Sequence, residues 1–246
     1  MRWTVIALIG VERIKLFSTR SPWWCVGAAI VLPIVVAVVT TVGSGDSPVT
    51  LDSILAGGSL GLYTLLVMAM LAITTEYRFN TIKLTFQAAP DRVSPLLAKA
   101  AVVAGVACLA GWAASFGSVG VSKLLAENGS RLVITSGSGL RAVLGLGLIC
   151  AASAVLALGI GGLIRHTAGA LTLILVFGLV VEPLVRLIPK VGEDVYEWMP
   201  FVSAFRLPVE HPPTDVPSPW ASFAYLSAIA VAVFALSLVV IKRRDA

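Results

Sequence analysis

The sequence is short of charged residues. They account for 13% of its 246 residues, about half of the roughly 25% that is usual in soluble domains. Hydrophobic residues account for 58%, and the mean hydropathy is +0.95. A globule of this length has no room for so much apolar surface in its interior. The composition therefore argues against a soluble domain, a disordered chain and a secreted disulfide scaffold, and it favours a membrane protein.

Cysteine, histidine and the short motifs of common enzymes are also scarce or missing. The three cysteines lie in apolar runs without the spacing of metal ligands, which favours small buried hydrophobic residues. The two histidines, His166 and His211, are predicted on opposite faces of a membrane. The sequence contains no Gly-x-x-x-x-Gly-Lys-Ser/Thr phosphate loop, no His-Glu-x-x-His and no Cys-x-x-Cys. We therefore expect neither catalysis, nor a metal, nor a cofactor in this chain itself.

Long hydrophobic runs are what the sequence has in abundance. A helix needs about 20 apolar residues to cross the roughly 30 Å hydrocarbon core of a bilayer, and six segments meet that requirement. The sequence thus predicts an all-α polytopic membrane protein, with an interface segment at 1–22 and a six-helix transmembrane domain at 23–246. The predicted spans are Trp23–Val42, Ile54–Thr75, Ala100–Val121, Ala142–Ile164, Ala168–Ile188 and Trp220–Ile241.

Lysine and arginine are divided unevenly by these spans. The side that holds both termini has 12 of the 18 basic residues but 4 of the 13 acidic ones, a net charge of +8, and the other side has −3. Basic residues concentrate on the cytoplasmic side of membrane proteins, so we expect both termini to be cytoplasmic. The basic excess is then a topology signal and an anionic-lipid contact, and no nucleic-acid partner is expected. The first apolar run is too long for a cleaved signal peptide.

Two cytoplasmic segments have the pattern of short amphipathic helices. The first 22 residues predict a helix in the membrane interface, and a basic leader that only fixes topology is the alternative. In the loop between spans two and three, Asn80 favours a left-handed turn, and Thr81 is a candidate N-cap for a helix at 82–88. Ile82 and Phe86 would share one face of that helix. Such a helix suits docking to another protein, or else it rests on lipid headgroups.

The opposite side has one unusual segment, Pro189–Pro219, which is acidic and rich in proline. Its centre, Val195–Val202, contains the aromatic residues Trp198 and Phe201. This pattern predicts a short surface or re-entrant helix that is followed by an extended loop. An external partner that binds 189–219 is a further hypothesis.

Span five contains a charged pair near one end, Glu182 and Arg186, with Pro183 between them. Pro183 predicts a local opening of the helix because it cannot donate a backbone hydrogen bond. The three residues either mark a polar point in a substrate path or outer gate, or Glu182 and Arg186 form an i,i+4 ion pair at headgroup level. Spans three and four are also rich in glycine, which permits close helix packing within one subunit or between subunits.

Four groups of residues, in this order, resemble motifs of one known family. The first group, at 12–23, is similar to the family's Glu-x-x-Lys-Leu-x-Ser-x-Arg-Ser-x-Trp leader. The third group, at 165–170, is similar to the family's hinge between spans four and five. The fourth group, at 242–245, is similar to its Arg-Arg-Asp tail. The second contains Glu76-Tyr77-Arg78, Thr81-Ile82-Lys83, Pro90-Asp91-Arg92 and Lys99, beside the family's Glu-Tyr-Arg-x-Gly-Thr-Ile-Arg, Pro-x-Arg and Lys. The family is that of the type-2 ABC transporter permeases, especially the actinobacterial ones. Asn80 stands where the family has glycine, and both residues tolerate a left-handed turn.

The resemblance implies a set of partners. Two permeases would pair, as a homodimer or a heterodimer, in a bacterial inner or plasma membrane, with two ATPase subunits that bind ATP and magnesium. The leader would contact the ATPase, and residues 76–90 would include a coupling helix that inserts into it. The segment after span five would correspond to re-entrant helices that cap the outer exit.

The resemblance also implies where the functional residues lie. The candidate ATPase-coupling residues are Glu12, Lys15, Glu76, Tyr77, Arg78, Thr81, Ile82, Lys83, Phe86 and Arg92. The candidates for the substrate path or outer gate are Glu182, Pro183, Arg186, Trp198 and Phe201.

The function expected from the sequence is the permease subunit of an ATP-driven exporter. Apolar spans with few internal charges favour a lipid-like or an amphipathic, drug-like substrate. Two alternatives stay open at this point. One is a secondary carrier or channel that needs no ATPase, and the other is an ABC-type membrane subunit that transmits force to an external partner.

Overall fold

The computed structural model describes residues 5–45, 49–82, 93–126, 136–212 and 217–243. Within these ranges the chain contains no strand, and six helical segments are long and apolar enough to cross a membrane. The predicted all-α polytopic fold is therefore confirmed. The helices are α1 (Val5–Phe17), α2 (Arg20–Gly43), α3 (Leu51–Leu55), α4 (Gly58–Arg78), α5 (Val93–Leu125), α6 (Gly137–Ile164), α7 (Thr167–Val185), α8 (Gly192–Glu197), α9 (Pro200–Ala204) and α10 (Pro219–Arg243).

Each predicted span overlaps one of the long helical segments, and the differences lie at the ends. Span two was predicted from Ile54, but α3 ends at Leu55 and a turn precedes α4. Span five was predicted to reach Ile188, but α7 ends at Val185. Pro189 contributes to this earlier end, because it has no N–H group for the carbonyl of Val185, and Leu187 and Ile188 bond instead to carbonyls three residues earlier.

Helix α5 is much longer than its predicted span. Its 33 residues extend over about 50 Å, whereas the hydrocarbon core is roughly 30 Å thick. Helix α5 packs against α1, and Lys99, in the extra residues at the beginning of α5, bonds to Glu12 of α1. This extension brings α5 into the candidate site described below.

Helix α6 is the centre of the bundle, where it packs against α4, α5 and α10. Glycines permit these close contacts. A Cβ atom at Gly159 would lie 2.8 Å from the backbone nitrogen of Phe234 in α10, and one at Gly111 would lie 2.8 Å from the Cα atom of Gly147. By contrast, a Cβ atom at Gly105 or Gly120 would meet nothing within 4 Å. Seven of the nine glycines in spans three and four thus serve packing within the chain, and Gly105 and Gly120 do not.

Helix α7 contains a π-helical turn at Phe177–Val181. Pro183 has no N–H group with which to bond the carbonyl of Leu179. One residue earlier, the backbone N–H of Glu182 bonds to the carbonyl of Phe177, which is five residues back rather than the usual four. The local opening that Pro183 predicts is confirmed. On the widened turn, Gly178 lies against the ring of Tyr63 in α4, where a Cβ atom would be 2.7 Å from the hydroxyl oxygen.

The alternation of the long helices defines two faces of the molecule. The terminal face holds α1, the end of α4, the start of α5 and the end of α10. The loop face holds α3, the start of α6, α8 and α9. These two names are used below.

Candidate functional site

Four charged side chains from three helices meet at the terminal face and form what we call the four-charge cluster. The ammonium group of Lys99 in α5 donates hydrogen bonds to Glu12 Oε2 of α1 at 2.5 Å and to Glu76 Oε1 of α4 at 3.0 Å. Lys15 Nζ lies 2.9 Å from Glu12 Oε1 and 3.4 Å from Glu76 Oε1. Each carboxylate therefore has two cationic partners, and each ammonium group has two anionic ones.

Burial makes this pairing necessary. Glu12, Glu76 and Lys99 are 4%, 9% and 6% exposed, and an unpaired charge at such depth would carry a large desolvation penalty. Among the described residues, two carboxylates and two ammonium groups balance one another in charge. The cluster is the polar junction at which α1, α4 and α5 are held together.

Lys15 is the half-buried member of the cluster. Burial lowers its pKa, but the hydrogen bonds and the attraction of Glu12 and Glu76 outweigh that effect and raise the pKa above its ordinary value of 10.5. A raised lysine pKa contributes stability at every pH below the unfolded value, and the contribution is lost only as the pH rises through the folded value. Lys15 therefore keeps its charge at neutral pH.

Helix α1 covers most of the segment for which the sequence predicts an interface helix, and the cluster determines which side of α1 packs on the bundle. Glu12 and Leu16, four residues apart on one face, are buried, whereas Ile14 on the other side is exposed. The connection to α2 is tight, since the indole N–H of Trp23 donates to the carbonyl of Phe17 at 3.2 Å. Helix α1 is therefore bonded to α2, α4 and α5.

The end of α4 presents the candidate coupling residues in different environments. Tyr77 is half-buried beneath the guanidinium group of Arg165, whose carbon lies 5.2 Å from the ring centroid. Arg78 is exposed and lies over the ring of Phe79, which is 66% exposed. Beside buried Glu76, this edge of α4 therefore offers a cation and an aromatic ring to the surroundings. Sequence reasoning did not single out Phe79.

The turn that follows α4 has the predicted backbone. Asn80 has a φ of 55°, in the left-handed region, so that prediction is confirmed. The hydroxyl group of the exposed Thr81 donates to the carbonyl of Glu76 at 3.4 Å, and Ile82 is buried. Thr81 and Ile82 are themselves helical, so Thr81 begins a helix and is not the N-cap that the sequence predicts. The rest of the predicted helix, 83–88, and the candidates Lys83, Phe86 and Arg92 lie outside the described residues.

The loop between α6 and α7 is a tight turn at the terminal face. Arg165 has a φ of 57°, and His166 Nδ1 accepts a hydrogen bond from the backbone N–H of Gly169 at 3.2 Å. His166 thus caps α7, as an interfacial residue of a tight helical hairpin.

At the other end of α7, the predicted ion pair between Glu182 and Arg186 is wrong. Glu182 is 1% exposed, and its Oε1 accepts the backbone N–H of Phe201 at 3.0 Å. Arg186 is exposed and lies instead 3.8 Å from Glu193. The i,i+4 spacing allows the pair. The carboxylate of Glu182 instead accepts a hydrogen bond at the start of α9, where the backbone N–H groups have no partner within the helix and favour a negative charge.

The external helix predicted at Val195–Val202 is in fact two helices, α8 and α9. They separate at Trp198 and Met199 because Pro200 begins a new helix, a position where its missing N–H group costs nothing. Phe201 is buried against Tyr63 of α4, with ring centroids 6.1 Å apart, whereas Trp198 is exposed and lies edge-on to Tyr225. Of the five outer candidates, Glu182 and Phe201 therefore come together, whereas Pro183, Arg186 and Trp198 are exposed.

A second polar junction, which we call the loop-face clasp, fixes the segment after α9. The guanidinium group of Arg141 in α6 donates to four backbone carbonyls, at distances of 3.0 to 3.5 Å. The backbone N–H of Glu210 donates to Asp52 Oδ1 of α3 at 2.6 Å. Sequence reasoning missed Arg141 and Asp52, because their partners are backbone groups that no side-chain motif marks. The carbonyls belong to Arg206, Leu207, Val209 and Glu210.

Lys99 was part of the resemblance but not of the candidate coupling residues. A lysine near the start of a hydrophobic helix is a signal in itself, because such a charge needs a partner. Searches of protein-family models and of curated proteins find no match for this chain. The function must therefore be argued from the motifs and the geometry.

Proposed function

We propose that this chain is the permease subunit of an ATP-driven ABC exporter, in which a separate subunit hydrolyses ATP. One observation carries the proposal. Glu12 of the leader motif, Glu76 of the loop motif and Lys99 at the end of that motif converge in the four-charge cluster, although Glu12 and Lys99 are 87 positions apart. Residues that were grouped by resemblance alone thus form one physical junction.

The junction has the properties that transmission of movement requires. An ATPase that binds at the terminal face would push on Arg78 and Phe79, which are exposed. Because Glu76 adjoins them and is bonded to Lys99, the displacement would pass to α1 and α5 together with α4. Packed elements of this kind shift as units rather than deform.

Helix α4 extends this link across the molecule. Its residue Tyr63 contacts Phe201 of α9 and faces Gly178 on the π-helical turn of α7. Movement of α4 would thereby reach the elements that close the loop face. ATP can drive such a change only if it binds the two conformations with different affinity.

The remaining features are part of the same proposal. Two copies, or this chain and a second permease, would enclose the path, with cytoplasmic termini in a bacterial plasma membrane. A lipid-like or amphipathic substrate fits walls that contain few charges. The buried carboxylate of Glu182 is bonded to Phe201 and serves the closure of the loop face.

Co-purification tests the proposal. The tagged full chain, extracted from its native membrane in a mild detergent, is expected to bring with it a protein that contains a Walker A motif. The charge reversal Arg78→Glu should reduce the recovered ATPase by at least about tenfold, since like charges opposed at an interface cost more than 1.4 kcal/mol. The matched control Lys123→Glu, on the last turn of α5, should change nothing.

The opposite result is equally clear. If no ATPase is recovered and the purified chain alone moves an amphipathic dye across vesicles, then the chain is a secondary carrier or a channel. If the Arg78→Glu and Lys123→Glu variants recovered equal amounts of ATPase, the ATPase would bind at another surface. That result would contradict docking at Arg78 and Phe79.

A further inference from the structure

A groove of about 720 Å³ opens at the terminal face beside the four-charge cluster. This volume lies within the roughly 300–1,000 Å³ of small-ligand sites. The groove is bounded by α1, the start of α2, the second half of α4 and the start of α5. Its walls are mainly apolar, and they include Leu8, Met68, Leu71, Ala72 and Val102.

Polar groups gather at one part of the groove. Ser18, Thr19 and Ser21, which lie in and around the turn between α1 and α2, contribute to the lining. Lys15 contributes as well, and its side chain is 36% exposed. The groove is therefore amphiphilic, with an apolar body and a hydroxyl-rich edge.

Aromatic side chains indicate the depth of this edge in a membrane. Trp24 lies two residues after Pro22, which lines the groove, and it is 77% exposed. Phe79 on the facing helix is largely exposed too. Exposed tryptophans at the end of a spanning helix lie at the level of lipid headgroups. The hydroxyl-rich edge then faces the headgroups, and the apolar body faces the acyl chains.

The exposed charged residues that are next in sequence to the edge are basic. Arg13, Arg20 and Arg78 are exposed, and each directly adjoins a residue that lines the groove. The two acidic residues at the groove, Glu12 and Glu76, are already bonded to Lys99. An anionic group at the edge would therefore find cations, whereas a neutral or cationic group would gain nothing from them.

We propose that this groove binds an anionic phospholipid, with one acyl chain between α1 and the α4–α5 pair and the phosphate group near the three arginines. A lipid is the occupant because the apolar body of the groove lies deeper than the headgroups. A segment of a soluble protein would have to enter the bilayer to reach it. The inference does not depend on the proposed exporter function, since it concerns the isolated chain and its membrane.

Photolabelling tests the proposal. The purified full chain is reconstituted with phosphatidylglycerol that has a photoactivatable group in one acyl chain, or with phosphatidylcholine that has the same acyl chains, and the labelled peptides are identified by mass spectrometry. We expect phosphatidylglycerol to label peptides around Leu71, Ala72 and Val102 at least about fivefold more than phosphatidylcholine, the effect of about one interfacial charge. Equal labelling by the two lipids would overturn the proposal.

Two pairs of variants sharpen the result. Ala72→Phe fills the apolar body and should abolish most labelling of the groove, whereas Ala113→Phe on the exposed side of α5 should not. The double variant Arg13→Gln and Arg20→Gln should remove the preference for phosphatidylglycerol, whereas Lys190→Gln on the loop face should keep it. Labelling that is no stronger in the groove than around Ala113 in the unmodified chain would contradict the site, whatever the variants do.

Discussion

Lys99 is the residue on which the four-charge cluster depends, because its ammonium group bonds both buried carboxylates. Lys99→Met keeps most of the length of the side chain and removes the charge, so Glu12 and Glu76 are left with Lys15. Removal of one partner from a buried ion pair usually costs about 3–5 kcal/mol. We expect a clear decrease in the thermal unfolding midpoint of the detergent-solubilised chain, with Lys123→Met as the unaffected control.

A compensating variant separates charge from shape at the same position. Glu12→Gln and Glu76→Gln, added to Lys99→Met, remove the stranded carboxylates and should recover part of the lost midpoint. If Lys99→Met alone left the midpoint unchanged, the cluster would not hold α1 to the bundle.

Glu182 gives a second prediction for a single residue. Glu182→Gln retains an oxygen that accepts the Phe201 N–H group, whereas Glu182→Leu leaves that buried N–H without a partner, at a cost of about 1–3 kcal/mol. Amide hydrogen exchange at 201–204 should accelerate in the leucine variant and stay slow in the glutamine variant. Equal exchange in both variants would show that the carboxylate does not hold α9.

At the residue scale, local rules predicted more than long-range ones. The left-handed turn at Asn80 follows from its own short side chain, and the structure confirms it. The pairing of Glu12 with Lys99 joins positions that are distant in the chain, so neither residue's neighbours reveal it. The Glu182–Arg186 pair was wrong for the same reason, because its competitor is a backbone group of α9.

At the element scale, the loop-face clasp makes a prediction about Arg141. Arg141→Met removes the donor for four carbonyls. A single hydrogen bond to a charged group contributes about 1.5–3 kcal/mol to stability, and the contributions of four bonds from one guanidinium group do not simply add. The segment at 205–212 should then exchange its amide protons faster and be cut more readily by protease. Arg186→Met, on an exposed side chain at the same face, is the matched control and should behave as the unmodified chain does.

The glycines give a matched pair of helix substitutions. Gly159→Ala places a methyl group 2.8 Å from the backbone of α10 and should lower the unfolding midpoint, by a cost of about 1–3 kcal/mol. Gly105→Ala meets open space and should leave the midpoint unchanged or raise it slightly. A similar decrease for both variants would mean that Gly105 is also packed, as at a contact between subunits.

The existence of the helices was predictable, and their breaks were less so. The length of each apolar run predicts a crossing helix irrespective of its neighbours. The turn between α3 and α4 depends on contacts with α2, where a Cβ atom at Gly57 would lie 2.7 Å from Val36 Cβ. Such a contact is not visible in a single segment. The division between α8 and α9 could have been anticipated from Pro200.

For the whole molecule, the surplus of basic residues and the cluster belong to the same face. The two buried acids of the terminal face, Glu12 and Glu76, are neutralised by Lys15 and Lys99. The exposed charge of the described residues there is consequently basic, as at Arg13, Arg20 and Arg78. This surface is the one to which both an ATPase and anionic lipids are proposed to bind.

The most direct test of the central claim is ATP hydrolysis in vesicles that contain this chain and the ATPase with which it co-purifies. The account predicts that transported substrate stimulates the rate of ATP hydrolysis. Arg78→Glu should reduce this stimulation by at least about tenfold, and Lys123→Glu should leave it unchanged. Substrate transport by the chain alone, at the same rate with and without ATP and the ATPase, would contradict it.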